Sequence, residues 1–319
     1  MLVWKGVNAM CINRRAFVLV LLLASPLSWS EIVLTLKESF VVKYKDRATI
    51  ESTCTVDKTK GKANSPAKDG DMHIAVRCPA EIGLPLVAEI MNAAEEPDVL
   101  AQTVDDEQSQ RKVQLKGAWR IWNEHSGDNE FIQGKPVVKA SNTNPDHVFE
   151  IHPVTFYDDH DLRATLHPIA GYKEKDPEAA FSSYENKRSS IKYDKTRKLI
   201  SITSSGLGYN YVKFQMQLNE KPFKITDGYF AMAQVRDWDG HLLHRKRRMV
   251  FVDGTPPSEA VKELGAGDCL RVLGMPRLNL ALVNYRVGQA KKGNVAPLTW
   301  NLPYEMIVVG IYDSSCEVD

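Results

Sequence analysis

An alternation of apolar and polar residues, interrupted by turn-forming residues, constrains the fold of this chain more than any other feature. Met72, Ile74 and Val76 alternate with polar neighbours in residues 71–78. This period of two predicts β-strands, whose successive side chains point to opposite faces. The predicted strands are residues 41–56, 71–78, 85–92, 113–122, 148–155, one or two strands within 199–218, 229–236, 248–253, 269–274 and 304–312.

The order of elements is the same in both halves of the chain. Residues 97–110 and 256–264 predict short helices, the second with prolines in its first turn and Gly265 as its stop. Strand, strand, strand, helix, strand, strand is the order of the oligonucleotide/oligosaccharide-binding (OB) barrel. We therefore predict a mainly β protein with two OB-like five-stranded barrels in tandem, each with a short helix. A pair of β-sandwiches is the alternative.

The length of 319 residues supports two domains. The predicted limits are residues 31–155 for the first OB-like domain and residues 191–319 for the second. Residues 156–190 are predicted to form a connector that packs on one barrel.

Residues 1–30 have the features of a signal peptide. Arg14 and Arg15 precede an apolar run that is too short to span a bilayer, and small residues favour cleavage after Ser30. Met10 is an alternative start. The segment also resembles a twin-arginine signal, although an ordinary secretory signal is favoured. We expect a periplasmic or secreted chain with no transmembrane segment after cleavage.

The cysteine count agrees with export. Cys11 lies in the leader, which leaves four cysteines, an even number as an oxidising compartment favours. Four cysteines permit three connectivities, and we favour the two local bonds, Cys54–Cys78 and Cys269–Cys316. A redox pair or a metal site is less favoured, because no Cys-x-x-Cys motif occurs.

Acidic and histidine side chains concentrate on one face of the first predicted barrel. If the apolar alternates fill the core, Asp71, His73, Glu150 and His152 lie on the opposite, outward face. The third strand of an OB barrel lies between the second and the fifth, which would place Glu89 among them. His73, Glu89, Glu150 and His152 are therefore candidate ligands for a divalent metal, which could activate water. An ordinary polar surface and a ligand-binding face are the alternatives.

Three segments of this half also carry a resemblance. They are Gly70-Asp71-Met72-His73, GLPLVAEI at residues 83–90, and HVFEIHPVT at residues 147–155. Together they resemble a module of uncharacterised exported bacterial proteins, in which D-x-H precedes a terminal W/F-E-I-H-P-V-T strand. The resemblance covers residues 44–155. It implies export and a small β-barrel and implies no reaction.

The second predicted barrel offers a basic segment between strands. There, basic side chains could contact phosphates while nearby aromatic rings stack on bases. The alternative is a solvated loop. The candidate ligand-binding residues are Trp238, Arg245, Lys246, Arg247 and Arg248. The connection at residues 275–303, which carries Arg277, Arg286, Lys291 and Lys292, lies where OB ligands often bind.

Composition and motifs limit the function. Residues 1–30 hold three of the 41 basic residues and none of the 40 acidic ones, so the remainder is nearly neutral and has no global attraction to nucleic acid. The common hydrolase, nucleotide-binding and zinc-protease motifs are missing, and no catalytic residue is assigned. We expect an exported ligand-binding protein for an anionic polymer such as nucleic acid, or for an oligosaccharide. The alternatives are a metal-dependent hydrolase acting on phosphodiesters and a protein-interaction module of the cell envelope. A divalent metal is the one cofactor considered.

Overall fold

The structure, a computed structural model, describes residue 1 and residues 31–127, 130–206, 208, 210–292, 300–314 and 316. Residues 2–30 of the predicted signal peptide lie outside the described residues. The strands are β1 (Glu31–Lys37), β2 (Thr49–Lys58), β3 (Met72–Arg77), β4 (Leu86–Ile90), β5 (Lys112–Ile121), β6 (Glu130–Ile132), β7 (Phe149–Tyr157), β8 (His160–Asp161), β9 (Arg188–Asp194), β10 (Leu199–Ser205), β11 (Val212–Leu218), β12 (Phe223–Ile225), β13 (Gly228–Arg236), β14 (Leu242–Val252), β15 (Cys269–Leu278), β16 (Trp300–Asn301) and β17 (Tyr304–Asp313). The helices are α1 (Glu38–Tyr44), α2 (Pro97–Ser109), α3 (Pro177–Asn186), α4 (Pro256–Val261) and α5 (Leu280–Lys291), with short 3₁₀ turns at Ala93–Glu95 and Arg163–Thr165.

Two helices occupy segments that the sequence did not predict to be helical. The strand predicted at residues 41–56 begins only at Thr49, because Phe40, Val41 and Tyr44 are spaced to bury one face of α1. The connection predicted at residues 275–303 contains α5. The side chain of Asn279 caps this helix by accepting a hydrogen bond from the backbone N–H of Leu282.

The first barrel has the strand order of an OB fold. β2 pairs with β3 and β5, β3 pairs with β4, and β5 pairs with β7, all antiparallel. The parallel pairing of β4 with β7 closes the ring. Helix α2 lies between the third and fourth barrel strands in the chain, as predicted.

The same partners recur in the second half. β11 pairs with β13 and β15, β13 with β14, and β15 with β17, while β14 runs parallel to β17. These five strands form a nearly closed ring, with α4 between the third and the fourth. The prediction of a mainly β protein with two OB-like barrels is thereby confirmed.

A third sheet was not predicted. Its order is β16-β9-β10-β1-β6, so it takes strands from both predicted domains. β10, which the sequence analysis assigned to the second barrel, instead pairs with β1 along all seven residues. Ile32, Leu34 and Ile202 face the main apolar core from this sheet.

Helix α3 lies within the segment predicted as a connector. Its buried Phe181 makes an edge contact with Phe214 of the second barrel, with ring centroids 5.4 Å apart. Its Tyr184 contacts Trp122, which follows β5 of the first barrel, at 5.5 Å. The helix therefore packs against elements of both barrels.

The outer faces of the two barrels pack against each other. A second buried apolar cluster contains Ala48 and Ala118 of the first barrel together with Val250, Leu273 and Ile307 of the second. Along β14 and β17, one face therefore fills the second barrel and the other contacts the first barrel.

A buried arginine connects the barrels by hydrogen bonds. Arg277 donates to the backbone carbonyls of Arg47, Ala48 and Trp119, at 3.0–3.1 Å. Its Nε also donates to Glu305 at 2.7 Å, and both side chains are fully buried. Burial lowers the pKa of Arg277 to about 10 despite this pair.

Both predicted disulfides are present. Cys54 bonds Cys78 within the first barrel, and Cys269 bonds Cys316 at the end of the second. Two disulfides fit an oxidising, non-cytoplasmic compartment. Among the described residues, no helix is both long enough and apolar enough to cross a membrane.

Candidate functional site

The acidic and histidine residues of the first barrel are buried. Asp71, Glu89, His147, Glu150 and His152, here called the acid–histidine cluster, are each at most 3% exposed. The sequence placed this face of the barrel in solvent. The structure covers it with the second barrel, because Tyr211 and the Pro276 carbonyl contact the cluster and its neighbour Arg120.

Strand register brings these residues together around Glu89. β4 lies between β3 and β7, so Glu89 stands opposite His73 and two residues along β4 from Val87, the partner of Glu150. Glu89 Oε2 lies 3.5 Å from His73 Nε2 and 3.2 Å from His152 Nδ1. The central position predicted for Glu89 from the OB strand order is thus observed.

His152 is a hydrogen-bond donor through both ring nitrogens. Its Nδ1 lies 3.3 Å from Glu150 Oε2, and its Nε2 lies 2.8 Å from the Tyr211 hydroxyl. That hydroxyl donates its own proton to Asp71 Oδ2 at 2.7 Å, so it accepts from His152. Burial opposes the charged imidazolium, but Glu89, Asp71 and Glu150 raise the pKa of His152 to about 10. In this arrangement His152 has no lone pair for a metal.

Arg120 balances the carboxylates from the other side. Its Nη1 lies 2.5 Å from Glu150 Oε2, its Nη2 lies 3.2 Å from Glu124 Oε2, and its Nε donates to the Pro276 carbonyl. Burial alone would raise the pKa of Glu150, but Arg120 and the adjacent histidines hold that pKa well below its ordinary value. Burial raises the pKa of Asp71 to about 6, although His152 opposes the rise.

The four predicted metal ligands do not form one compact set. Two groups have ligand atoms that all lie within 4.8 Å of one another: Asp71, Glu89 and His152, and Glu89, His147 and Glu150. His73 belongs to neither group. Sequence reasoning missed His147, Arg120 and Tyr211 as members of the site. Arg120 carried a signal, since it is charged within the otherwise apolar AWRIW segment of β5 and its continuation.

The basic segment of the second barrel is a strand and not the predicted loop, because residues 245–248 lie within β14. Arg247 contacts Glu185 and donates to the Tyr304 carbonyl, and Arg248 contacts Glu305. Two of the four predicted cations are therefore held in internal ion pairs. Arg245 and Lys246 are exposed.

The cations of the predicted 275–303 connection are also largely engaged. Arg277 bridges the barrels, as described above. Arg286 is 5% exposed and donates to the Asn301 carbonyl, and Lys291 contacts Glu38. This part of the second barrel thus presents less positive charge than its sequence suggested.

Trp238 has cationic neighbours that the sequence did not indicate. It lies in the turn between β13 and β14, with Lys213 Nζ 3.7 Å and Arg271 Cζ 4.8 Å from its ring centroid. Tyr312 contacts the same ring edge-on at 5.6 Å. Lys213 lies on β11 and Arg271 lies on β15, and the antiparallel pairing of these two strands brings both side chains next to Trp238.

The fully buried Gln215 and the half-buried Arg236 adjoin Lys213, Trp238 and Arg271. Gln215 stands opposite Arg236 on one neighbouring strand and opposite Arg271 on the other, and its amide donates to the Trp238 carbonyl. We call Lys213, Gln215, Arg236, Trp238 and Arg271 the Trp238 face. Within the described residues, none of its three cations lies within 4.0 Å of a carboxylate oxygen. Most other buried or half-buried arginines of the chain do have such a carboxylate partner.

Comparison of the chain with protein-family models and with curated protein sequences finds no match.

Proposed function

We propose that the chain is an exported ligand-binding protein whose second barrel binds a single-stranded anionic polymer, with nucleic acid as the ligand class, on the Trp238 face. One observation carries this proposal: the Trp238 ring lies against Lys213 and Arg271, and neither cation has a carboxylate partner among the described residues.

Cations and a half-buried indole in this arrangement suit a polymer of phosphates and planar rings. A base stacked on an aromatic side chain contributes about 1–3 kcal/mol and needs no particular sequence. Lysine and arginine beside it neutralise phosphates and release condensed counterions. Two acidic groups near this face are engaged elsewhere, since Glu174 accepts from the Tyr312 hydroxyl and Asp237 pairs with His241.

The proposal moves the binding residues predicted from sequence. Trp238 remains a proposed binding residue, and Lys213, Arg236 and Arg271 supply the positive charge beside it. Arg247 and Arg248 are instead engaged in ion pairs within the protein. Arg245 and Lys246 remain exposed, so they serve as a matched control for any effect of net charge.

Binding of a fluorescent oligothymidylate across a range of salt concentrations tests the proposal. Removing one cation that neutralises a phosphate should lower the slope of log affinity against log salt by about 0.7. The double variant Lys213→Gln and Arg271→Gln should therefore reduce the slope by about 1.4. Trp238→Ala should weaken binding by about 1–3 kcal/mol, with the salt slope retained.

The control is the double variant Arg245→Gln and Lys246→Gln, which removes the same charge from β14 and should leave the slope unchanged. The proposal would be refuted by no binding at low salt, or by a slope that falls only in the control. Salt-independent binding of a neutral oligosaccharide would replace it with a carbohydrate-binding function.

Export is proposed on the signal peptide at residues 1–30 and supported by the two disulfides. The chain recovered from the periplasm or medium should begin at Glu31. Recovery of the full chain from the cytoplasm alone, with free thiols, would contradict export.

A further inference from the structure

The protonation state of one buried histidine is fixed by its neighbour. His147 Nδ1 lies 2.7 Å from the Pro145 carbonyl oxygen, which can only accept, so Nδ1 carries the proton. In a neutral imidazole, Nε2 is then an acceptor. This Nε2 faces Glu150 Oε1, another acceptor, at 3.4 Å.

Neither atom has a hydrogen-bond partner in the structure, and both residues are at most 1% exposed. Two buried lone pairs facing each other require a positive charge between them. A second proton on His147 or a bound cation would supply it.

The geometry favours a cation. His147 Nε2 and Glu150 Oε1 lie 3.4 Å apart, yet the structure holds no hydrogen bond between them. Two ligands of a tetrahedral zinc ion, each at about 2.0–2.1 Å from the metal, lie about 3.3–3.4 Å apart. Glu89 completes a group of three possible ligands, in which one ligand atom from each of Glu89, His147 and Glu150 lies within 4.8 Å of the others.

The surroundings are those of a metal ligand set. A histidine that binds metal commonly donates its other ring N–H to a backbone carbonyl, as His147 does to Pro145. Arg120 binds Glu150 through Oε2, which leaves Oε1 free and fixes the carboxylate orientation.

We propose that Glu89, His147 and Glu150 bind one divalent transition-metal ion, with zinc as the best match to one imidazole and two carboxylate ligands. The site lies on β4, β7 and the segment before β7, where the second barrel covers the first. Its burial assigns it a structural role, distinct from the Trp238 face. Failure of one proposal therefore leaves the other intact.

The test uses the full disulfide-bonded chain purified without chelator. Elemental analysis should find one zinc per chain, removal by a chelator should lower Tm, and added zinc should restore it. One equivalent of Co²⁺ should give visible absorption of the intensity typical of a four-coordinate site, in which a water molecule completes the three protein ligands.

The discriminating variant is His147→Asn, whose amide N–H can still donate to the Pro145 carbonyl. It should weaken metal binding by more than about 100-fold, since loss of a direct ligand exceeds the 10–100-fold effect of an outer-shell change. His160→Asn is the control, because His160 on β8 contacts Gln102 on α2, and both residues lie outside the acid–histidine cluster. It should retain the metal.

Three results would overturn the proposal. They are a wild-type chain that takes up neither zinc nor cobalt, metal that persists in His147→Asn, and equal depletion of metal in His160→Asn. If His147→Asn does not fold, the wild-type cobalt spectrum decides alone, and a spectrum without four-coordinate bands rejects the site.

Discussion

Replacement of Arg277 by methionine tests whether the buried arginine holds the two barrels together. Methionine approximates the aliphatic volume of arginine but removes the donors to three backbone carbonyls of the first barrel and to Glu305. Arg248 still contacts Glu305, so that carboxylate keeps one cationic partner.

The expected cost follows from burial. Removal of one member of a fully buried ion pair costs about 3–5 kcal/mol, and each buried acceptor left without a donor costs about 1–3 kcal/mol. These costs are not additive, and the remaining Arg248 contact reduces the first. We expect Arg277→Met to lower the free energy of unfolding by about 5 kcal/mol, a large share of the stability of a typical protein.

Urea denaturation followed by tryptophan fluorescence measures this change. Arg197→Met is the control, because the Arg197 side chain is 77% exposed and lies 3.9 Å from Asp194. It should change the free energy of unfolding by less than about 0.5 kcal/mol. A cost below about 1.5 kcal/mol for Arg277→Met would refute the view that Arg277 carries the contact between the barrels.

Two further predictions concern stability. Double Cys→Ser replacement should cost about 3.5 kcal/mol for Cys54–Cys78 and about 4 kcal/mol for Cys269–Cys316, because the second bond closes the longer loop, with a sequence separation of 47 against 24. Urea denaturation showing the reverse order would contradict the chain-entropy account. Burial opposes ionisation of Glu185, but His244, Tyr304 and Arg247 lower its pKa from 4.5 to about 2. Its contribution is therefore complete above pH 4.5 and disappears as the pH falls toward 2. Glu185→Gln should flatten the dependence of unfolding free energy on pH in that window, and an unchanged acid limb would show that the group does not titrate there.

The sequence predicted the barrels because strand order and period-two patterning are local properties. It also placed Glu89 beside His73 and His152, since OB topology sets which strands are neighbours. It failed for residues 41–44, where the apolar spacing fits a helix face as well as a strand. The helix forms there because it buries Phe40 and Tyr44 on one face.

What covers a barrel face is not a local property. Period two placed Asp71 and His152 on the face opposite the core, but could not show that the second barrel lies on that face. A signal was present in β14 and β17, where Val250–Val252 and Met306–Val309 are apolar without alternation. Such runs are typical of strands buried on both faces. The carboxylate partners of Arg247 and Arg248 lie 57 or more residues away in sequence, beyond any local pattern.

The third sheet sets the order in which the chain can complete its fold. β1 is the first strand of the described chain after residue 30, yet its antiparallel partner β10 ends at Ser205 and the edge strand β16 lies at residues 300–301. Pairing across such separations requires closure of long loops before any contact forms, which slows folding. A chain emerging from its amino terminus must therefore hold β1 without its antiparallel partner until β10 is made, after the strands of the first barrel and before those of the second. The first strand made thus waits through synthesis of the whole first barrel for its main partner, and any chaperone that binds the nascent chain would meet that apolar segment exposed.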